Sequence, residues 1–406
     1  MPHVAVVGAG PSGVFTTAEL LRRQGVWVDV FDRGPTPYGL VRYGVAPDHL
    51  KIKTVARVLA RTLGDPRVTF RGNAELGRDV HLAELKDRYQ AVVLATGAPR
   101  ARRLRVPGEQ LPHHLSAADL VRWYNGQPDA RDLSGVPDGP AVVIGAGNVA
   151  LDVARVLVKG HRGLSHTDVP PAVLDALPPR DVRILIRRGA ADAKFSTVEL
   201  LEIGKLAGVR IRVEGLDPYQ DGEGRTVAIF REWARRTVSH TGVQLTFSFR
   251  QAPVALHAAG VALRDRTIPA SLVVSAVGYT GQRIDGVPFD DSLGLIPNKR
   301  GRVADGVYVT GWAKRGPTGV IGSNKSCAAE TAAELLADLP DGPRPDIEPL
   351  LAARGCRWVT WTGWNHIDDA EMDLGRKHGR ERAKITDMAQ LLEIGAPENQ
   401  PEVASK

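Results

Sequence analysis

The sequence predicts an α/β protein in which one parallel-sheet domain is nested inside another. A strand, a glycine-rich turn and an apolar helix follow one another at the N-terminus, and the same succession returns at Val142. Three further apolar strands stand between and after these units, where a chain that crosses twice between domains needs them.

Val4-Ala5-Val6-Val7 reads as a buried strand running into Gly8-Ala9-Gly10-Pro11-Ser12-Gly13, with an apolar helix from Val14 to about Arg23 behind it. A second strand, Val26 to Phe31, ends at Asp32, 19 residues after Gly13. In this order the residues make a Rossmann-like dinucleotide fingerprint. Gly8 permits the tight turn, Gly10 lets the backbone approach a pyrophosphate, and Gly13 lets helix and strand pack closely. Free amides at the helix start face the phosphates, and Asp32 stands where a carboxylate accepts hydrogen bonds from a ribose diol. A lone glycine triplet often marks an ordinary turn; strand, helix, strand and acid in register make the nucleotide reading specific.

Val142-Val143-Ile144 opens the second cradle, Gly145-Ala146-Gly147-Asn148-Val149-Ala150, with a helix from Leu151 to Val158. Alanine takes the third glycine position. The next strand, Val182 to Ile186, ends in Arg187-Arg188 rather than in an acid. An acid there repels a 2′-phosphate, whereas paired guanidinium groups hold it with charge-assisted hydrogen bonds, so NADP(H) is expected over NAD(H). The ordinary alternative is a solvated arginine pair at a strand end. The strands Ala91 to Gly97, Ser271 to Gly278 and Gly306 to Gly311 fit the crossings between the two domains.

At 406 residues, 43% hydrophobic and 24% charged, the chain has the length and composition of a soluble protein with two cores. No uninterrupted apolar run reaches the ~18 residues of a membrane span. The first strand starts directly after Met1-Pro2, which leaves no room for a signal peptide and suggests a cytoplasmic protein. Only Cys327 and Cys356 occur, with neither a CxxC pair nor the spacing of an iron–sulfur cluster, and both read as buried thiols. The net charge of +7 suits an acidic partner. Lys and Arg are spread without interleaved aromatics, so nucleic acid is not expected. His161, His166 and Asp168 read as a surface loop rather than a metal site, and Pro397 to Lys406 as a loose tail.

Longer motifs sharpen the picture. The run Tyr38-Gly39-Leu40-Val41-Arg42-Tyr43-Gly44-Val45-Ala46-Pro47-Asp48-His49 follows the first acid. Gly145 to Arg155 forms the second cradle, and Gly311-Trp312-Ala313-Lys314-Arg315-Gly316-Pro317-Thr318-Gly319-Val320-Ile321-Gly322 comes late. Gly363-Trp364-Asn365-His366-Ile367-Asp368 closes the series. Together, in this order, these runs resemble the adrenodoxin-reductase-like ferredoxin–NADP+ reductases, from about Val4 to Leu392 and most weakly around 205–265.

The resemblance implies FAD and NADPH as cofactors, with an FAD domain formed by 1–108 and 278–406 and an NADP domain by 109–277. It implies that Ser12, Asp32, Leu40 and Leu76 contact FAD, and that Trp312 and Gly319-Val320-Ile321 lie along the isoalloxazine. Ala146 to Val149 would cradle the NADPH pyrophosphate, Arg187 and Arg188 would hold the 2′-phosphate, and Glu199 a neighbouring hydroxyl; Gly319 would also approach the nicotinamide. His49 and Glu202 match positions near the nicotinamide–flavin contact and are the candidate catalytic residues. Their ordinary readings are a structural histidine and a surface glutamate. The implied activity passes electrons from NADPH through FAD to a ferredoxin-type iron–sulfur protein, steered by Arg22, Arg23, Arg231, Arg235 and Arg236.

Three departures stand out. Asp192-Ala193-Lys194-Phe195 replaces the family's Gln-Ala-Ala-Phe, the span from Arg188 to Gly278 is short, and Val238 to Gln244 lacks arginines common there. A reductase or monooxygenase acting on a small organic substrate, and a non-catalytic nucleotide sensor, are the alternatives.

Overall fold

The structure, a computed structural model, describes residues 1–236 and 241–396. The expected tail from Pro397 and the stretch Val238–His240 lie outside the described residues. Two six-stranded sheets organise the rest. The first runs, edge to edge, 302–304, 307–309, 91–94, 3–7, 27–31 and 68–71. All neighbours are parallel except the antiparallel edge pair 302–304 and 307–309. The second sheet is parallel throughout, in the order 114–116, 272–275, 141–144, 182–186, 243–249, 209–214.

The central strands of the two sheets are buried on both faces, as parallel strands under helical layers must be, while the edge strands Val209–Glu214 and Arg302–Ala304 are partly exposed. His3–Val7, Ala91–Leu94 and Ala141–Ile144 are buried at every position. In the first sheet Val4, Val6, Val28 and Val30 face one core with the helices Pro11–Leu20 and Ser323–Asp338, while Ala5, Val7, Val92 and Leu94 face another. The second sheet packs Phe247, Phe249 and Ile184 against the helices Asn148–Leu164 and Arg225–Arg235, and Leu185 and Val273 against its opposite face.

The chain leaves the first sheet after Leu94 and returns to it at Arg302. Between the two sheets it forms a short ribbon in which Arg100–Ala101 pairs antiparallel with Tyr279–Thr280. The outgoing and returning strands thus lie side by side, which is the geometry a nested unit requires. Element existence matches the expectations and the ends move: the helices begin at Pro11 and Asn148, directly on the glycine turns, and the return strand is only Leu272–Ser275.

Asp168 corrects one expectation. It is not on a surface loop but closed in by Lys53, whose Nζ donates to both carboxylate oxygens at 2.7 Å, and by Lys384 Nζ at 3.0 Å. Charge pairing keeps the Asp168 carboxylate ionised despite burial, with its pKa well below the usual range.

Candidate functional site

The two glycine turns are built alike. A Cβ on Gly8, whose φ is +116°, would stand 2.4 Å from the Ala95 carbonyl oxygen, and one on Gly13 would stand 1.9 Å from the Gly8 oxygen. Neither position admits a side chain. A Cβ on Gly10 would meet nothing nearer than Gly39 Cα at 3.9 Å. In the second turn a Cβ on Gly145 would stand 2.5 Å from the Ala276 oxygen, while one on Gly147 faces open space. The outer glycines therefore serve packing, and the middle ones leave room for a ligand backbone-close, which is what a pyrophosphate at a helix start needs.

Asp32 ends the second strand with Oδ2 accepting from Ala9 N at 2.7 Å and Oδ1 from Gly34 N at 2.8 Å. Burial raises its pKa against the pull of these amides. The acid is thus locked to the first cradle, with its remaining lone pairs free for a diol. Ser12 Oγ donates to Asn324 Oδ1 at 3.0 Å, tying the first cradle to the start of the helix Ser323–Asp338. Tyr38 adopts φ +79°, strained for a residue with a Cβ, and its amide donates to Ala9 O at 2.9 Å. The Tyr38–Gly39 turn is thereby pressed beside Gly10. Leu40, next in line, is 47% exposed, a large apolar side chain left uncovered beside the first cradle. Leu76 packs at the edge of the core around Phe31 and Ala74.

The loop from Gly316 to Gly322 folds around Arg315. That guanidinium donates to Thr318 O, to Ser323 Oγ at 3.1 Å and to Asn324 Oδ1 at 2.9 Å. Trp312 Nε1 donates to Thr318 O at 3.2 Å. Gly319, at φ +82°, could not carry a Cβ without meeting Ser323 Oγ at 2.4 Å, and Val320 stands 74% exposed beside it, with Ile321 turned partly inward. Because Ser12 and Arg315 both donate to Asn324 Oδ1, one amide ties the first cradle to this loop.

On the second sheet, Asn148 Oδ1 accepts from Ser196 N at 2.8 Å and the Ala146 carbonyl accepts from Lys194 N at 2.7 Å. These bonds dock the segment that carries the helix Thr197–Ile203, and with it Glu199 and Glu202, against the cradle. Val149 packs at the margin of the second core. Arg187 and Arg188 are exposed at the strand end. Arg188 faces Asp192 at 3.4 Å, and Arg187 has no ion pair among the described residues.

His49 and Glu202 come together across the two halves, with Nδ1 3.6 Å from Glu202 Oε2. His49 Nε2 lies 3.3 Å from both Asp152 Oδ1 and Glu199 Oε2. Behind them Arg155, only 2% exposed, donates to Asp48 at 2.8 and 3.1 Å, to Asp152 at 2.7 Å and to Glu199 at 3.3 Å, and Lys159 adds a bond to Asp48 at 2.8 Å. The Asp152 and Glu199 carboxylates hold the His49 imidazole protonated, raising its pKa to about 9 against desolvation and the nearby Arg155. Arg155 keeps Asp48 ionised well below the usual carboxylate range, and His49 lowers Glu199 likewise. One ligand atom from each of His49, Glu199 and Glu202 lies within 4.8 Å of the others, a spacing a metal ion can use. The same carboxylates already face two cations, so the cluster stands first as an ion-pair network.

The network partners Asp48, Asp152, Arg155 and Lys159 were not anticipated from sequence. A signal existed: Asp152, Arg155 and Lys159 recur on one face of a single helix. Both cysteines are free and buried, and burial pushes the Cys356 thiol up to about 12.

Residues 2–165 match the family model for pyridine nucleotide-disulphide oxidoreductases. Over 97% of its length the chain is 38% identical to the NADPH-ferredoxin reductase FprA of Mycobacterium leprae, covering 98% of that protein. It is 37% identical to human mitochondrial NADPH:adrenodoxin oxidoreductase, again over 97% of this chain and 92% of the other. The solved structure of Mycobacterium tuberculosis FprA in complex with NADPH superposes with a TM-score of 0.89 at 37% identity, covering 97% of this chain and all of that one.

Proposed function

The chain belongs to the adrenodoxin-reductase-like family of NADPH–ferredoxin reductases, and from that premise we propose how its residues divide the work. It is an FAD-dependent oxidoreductase that takes electrons from NADPH and passes them to an iron–sulfur protein. The observation that carries this reading is similarity over nearly the whole chain, joined to two cradles whose middle glycines leave room for phosphates. Bound FAD supplies the flavin that accepts a hydride from NADPH and gives up electrons one at a time.

In our reading residues 1–108 and 278–406 hold FAD and 109–277 hold NADPH, the division falling at the ribbon of Arg100–Ala101 and Tyr279–Thr280. Gly8, Gly10, Ser12, Gly13 and Asp32 bind the FAD phosphates and ribose. Leu40, Leu76, Trp312 and Gly319 to Ile321 line the rest of that cofactor, and the exposed apolar surfaces of Leu40 and Val320 support this placement. Gly145 to Val149 cradle the second pyrophosphate, and Arg187 and Arg188 receive the 2′-phosphate. Glu199 is held in place by Arg155 for a ribose hydroxyl. His49 and Glu202 meet where the two halves join, and their role is to orient the nicotinamide and keep a positive charge on the His49 imidazole beside it. Hydride transfer depends chiefly on such alignment.

The partner is an acidic ferredoxin-type protein. Arg22 is 76% exposed, and Arg231, Arg235 and Arg236 project from the helix Arg225–Arg235 or its end. Arg22 faces Glu19 at 2.7 Å and Arg236 faces Glu232 at 2.6 Å, so part of this charge is already neutralised. No helix among the described residues is long and apolar enough to cross a membrane, and we assign the protein to the cytoplasm. The test is NADPH-driven cytochrome c reduction with and without a panel of ferredoxins across ionic strength. Ferredoxin-dependent turnover should fall steeply as salt screens charges beyond about 8–10 Å, while flavin reduction by NADPH changes little. A panel that never exceeds the carrier-free control turns the assignment toward a small organic acceptor.

A further inference from the structure

One ammonium group joins three parts of the chain. Lys384, with its side chain 1% exposed, points Nζ at Asn125 O at 2.9 Å, Arg42 O at 3.0 Å and Asp168 Oδ2 at 3.0 Å. Arg42 lies in the short helix Leu40–Tyr43 beside the first cradle, whereas Asn125 caps the helix Ala117–Tyr124 and Asp168 follows the long helix behind the second cradle. Of the neighbours of Lys384, Arg380 spans the same junction and the others brace its Arg42 side. Arg380 donates to Val169 O at 2.6 Å, Ile385 N donates to Glu371 at 2.9 Å, and Glu371 in turn holds Arg42 at 2.5 Å and Arg382 at 3.0 Å. Burial pulls the lysine pKa down, yet acceptors from three residues surround Nζ, Asn125 adding its Oδ1 at 3.4 Å, and only a charged ammonium offers a donor to each residue.

A residue needed only for packing would be better apolar here, because removing an amine from water costs more than burying a methyl group. What a lysine adds is direction: three hydrogen bonds satisfied together define one arrangement of their acceptors. Those acceptors sit on the two halves that carry the two cradles. We propose that Lys384 is a positioning residue for hydride transfer, setting the angle between the cradles by binding Arg42 on one half and Asn125 and Asp168 on the other. The proposal rests on the NADPH-to-FAD reading for its kinetic consequence but not for its geometry.

The test uses FAD-loaded Lys384→Met, which keeps length and volume and leaves Asp168 paired with Lys53. Spin labels on Arg61→Cys, in the helix Ala56–Leu63 of the first half, and Lys205→Cys, after the helix Thr197–Ile203 of the second, report the distance between halves; both positions are exposed, and the native cysteines are buried. The expected result is a broadened or shifted distance distribution relative to the same labelled protein with Lys384. Flavin reduction at saturating NADPH should fall by about tenfold or more, since misplacement by about 1 Å costs up to a hundredfold. FAD content and flavin reduction by dithionite should stay as in the native protein. A distribution superimposable on the native one, or a loss of rate explained wholly by weaker NADPH binding or lost FAD, overturns the proposal. If the Met variant does not retain FAD, Asp168→Asn takes its place and an unaltered distribution there overturns the proposal equally. Native protein whose flavin NADPH does not reduce refutes the functional reading instead, and the distance measurement still judges Lys384.

Discussion

Replacing Arg187 by alanine removes a guanidinium that stands exposed at the end of the strand Val182–Ile186 with no ion pair among the described residues. Nothing in the protein has to be given up when that group meets a 2′-phosphate, so its full charged hydrogen bond, about 1.5–3 kcal/mol, counts toward binding. At about 1.4 kcal/mol per decade, the dissociation constant for NADPH should rise by roughly 10- to 150-fold. Arg188 begins from a different state, because it faces Asp192 at 3.4 Å with both side chains about half exposed. An exposed pair of this kind holds up to about 1 kcal/mol, which Arg188 must relinquish or share on binding. Arg188→Ala should therefore cost about fivefold less than Arg187→Ala, and Asp192→Asn should tighten NADPH binding slightly. The assay is steady-state ferricyanide reduction with NADPH and with NADH, backed by titration of the oxidised enzyme with NADP+. Neither arginine variant should alter the KM for NADH by more than about twofold, since no 2′-phosphate is present to lose. Native enzyme that prefers NADH, or variants that weaken NADH as much as NADPH, would refute the strand-end assignment.

Other outcomes follow from the packing. Gly13→Ala should abolish soluble, flavin-loaded protein because its Cβ meets the Gly8 oxygen, whereas Gly147→Ala should melt like the native protein yet bind NADP+ less tightly; thermal melts with flavin and nucleotide titrations separate the two. Glu371→Ala strands the buried Arg42 without its carboxylate partner, while Arg382 keeps Asp368 at 2.7 Å, and should lower unfolding free energy by about 3–5 kcal/mol in guanidinium titrations; a loss below about 1 kcal/mol would show that the site relaxes to admit water. The His49 pKa is raised to about 9, so its ion pairs contribute fully below its ordinary value of about 6.5 and fade as pH rises through 9. His49→Gln should accordingly flatten the fall in melting temperature across that window, and an equally steep fall in the variant would place the titration elsewhere.

Both cradles were legible in the sequence because each rests on local chemistry: glycines where a Cβ has no room, and a strand and helix directly around them. The nested order was legible too, since Ala91–Leu94 and Val307–Val309 are uniformly apolar and pair in one sheet. What escaped was the contact between halves. Asp48 and Arg155 stand in the sequence only as members of longer motifs, Lys384 carries no signal of its own, and Asp168 reads as part of a surface loop. Their burial depends on partners far away in the chain, such as Lys384 with Arg42, which no local periodicity encodes. Asp168 shows the error plainly: it reads with His161 and His166 as part of a surface loop, and two lysines from separate segments close over it.

The interleaved strand order also bears on how the chain matures during synthesis. The second sheet draws only on residues 114 to 275, so all its strands are available once that stretch has left the ribosome. The first sheet must wait for Val307–Val309, although its other central strands were translated first. At about 5–20 residues per second, the lag between the two is roughly 2–7 s. During that interval the strand Ala91–Leu94 has one open flank, and a nascent chain stalled before residue 307 would present it to neighbouring chains or to a chaperone. The inserted half of the molecule thus closes first, and the N-terminal cradle is the last to gain its support.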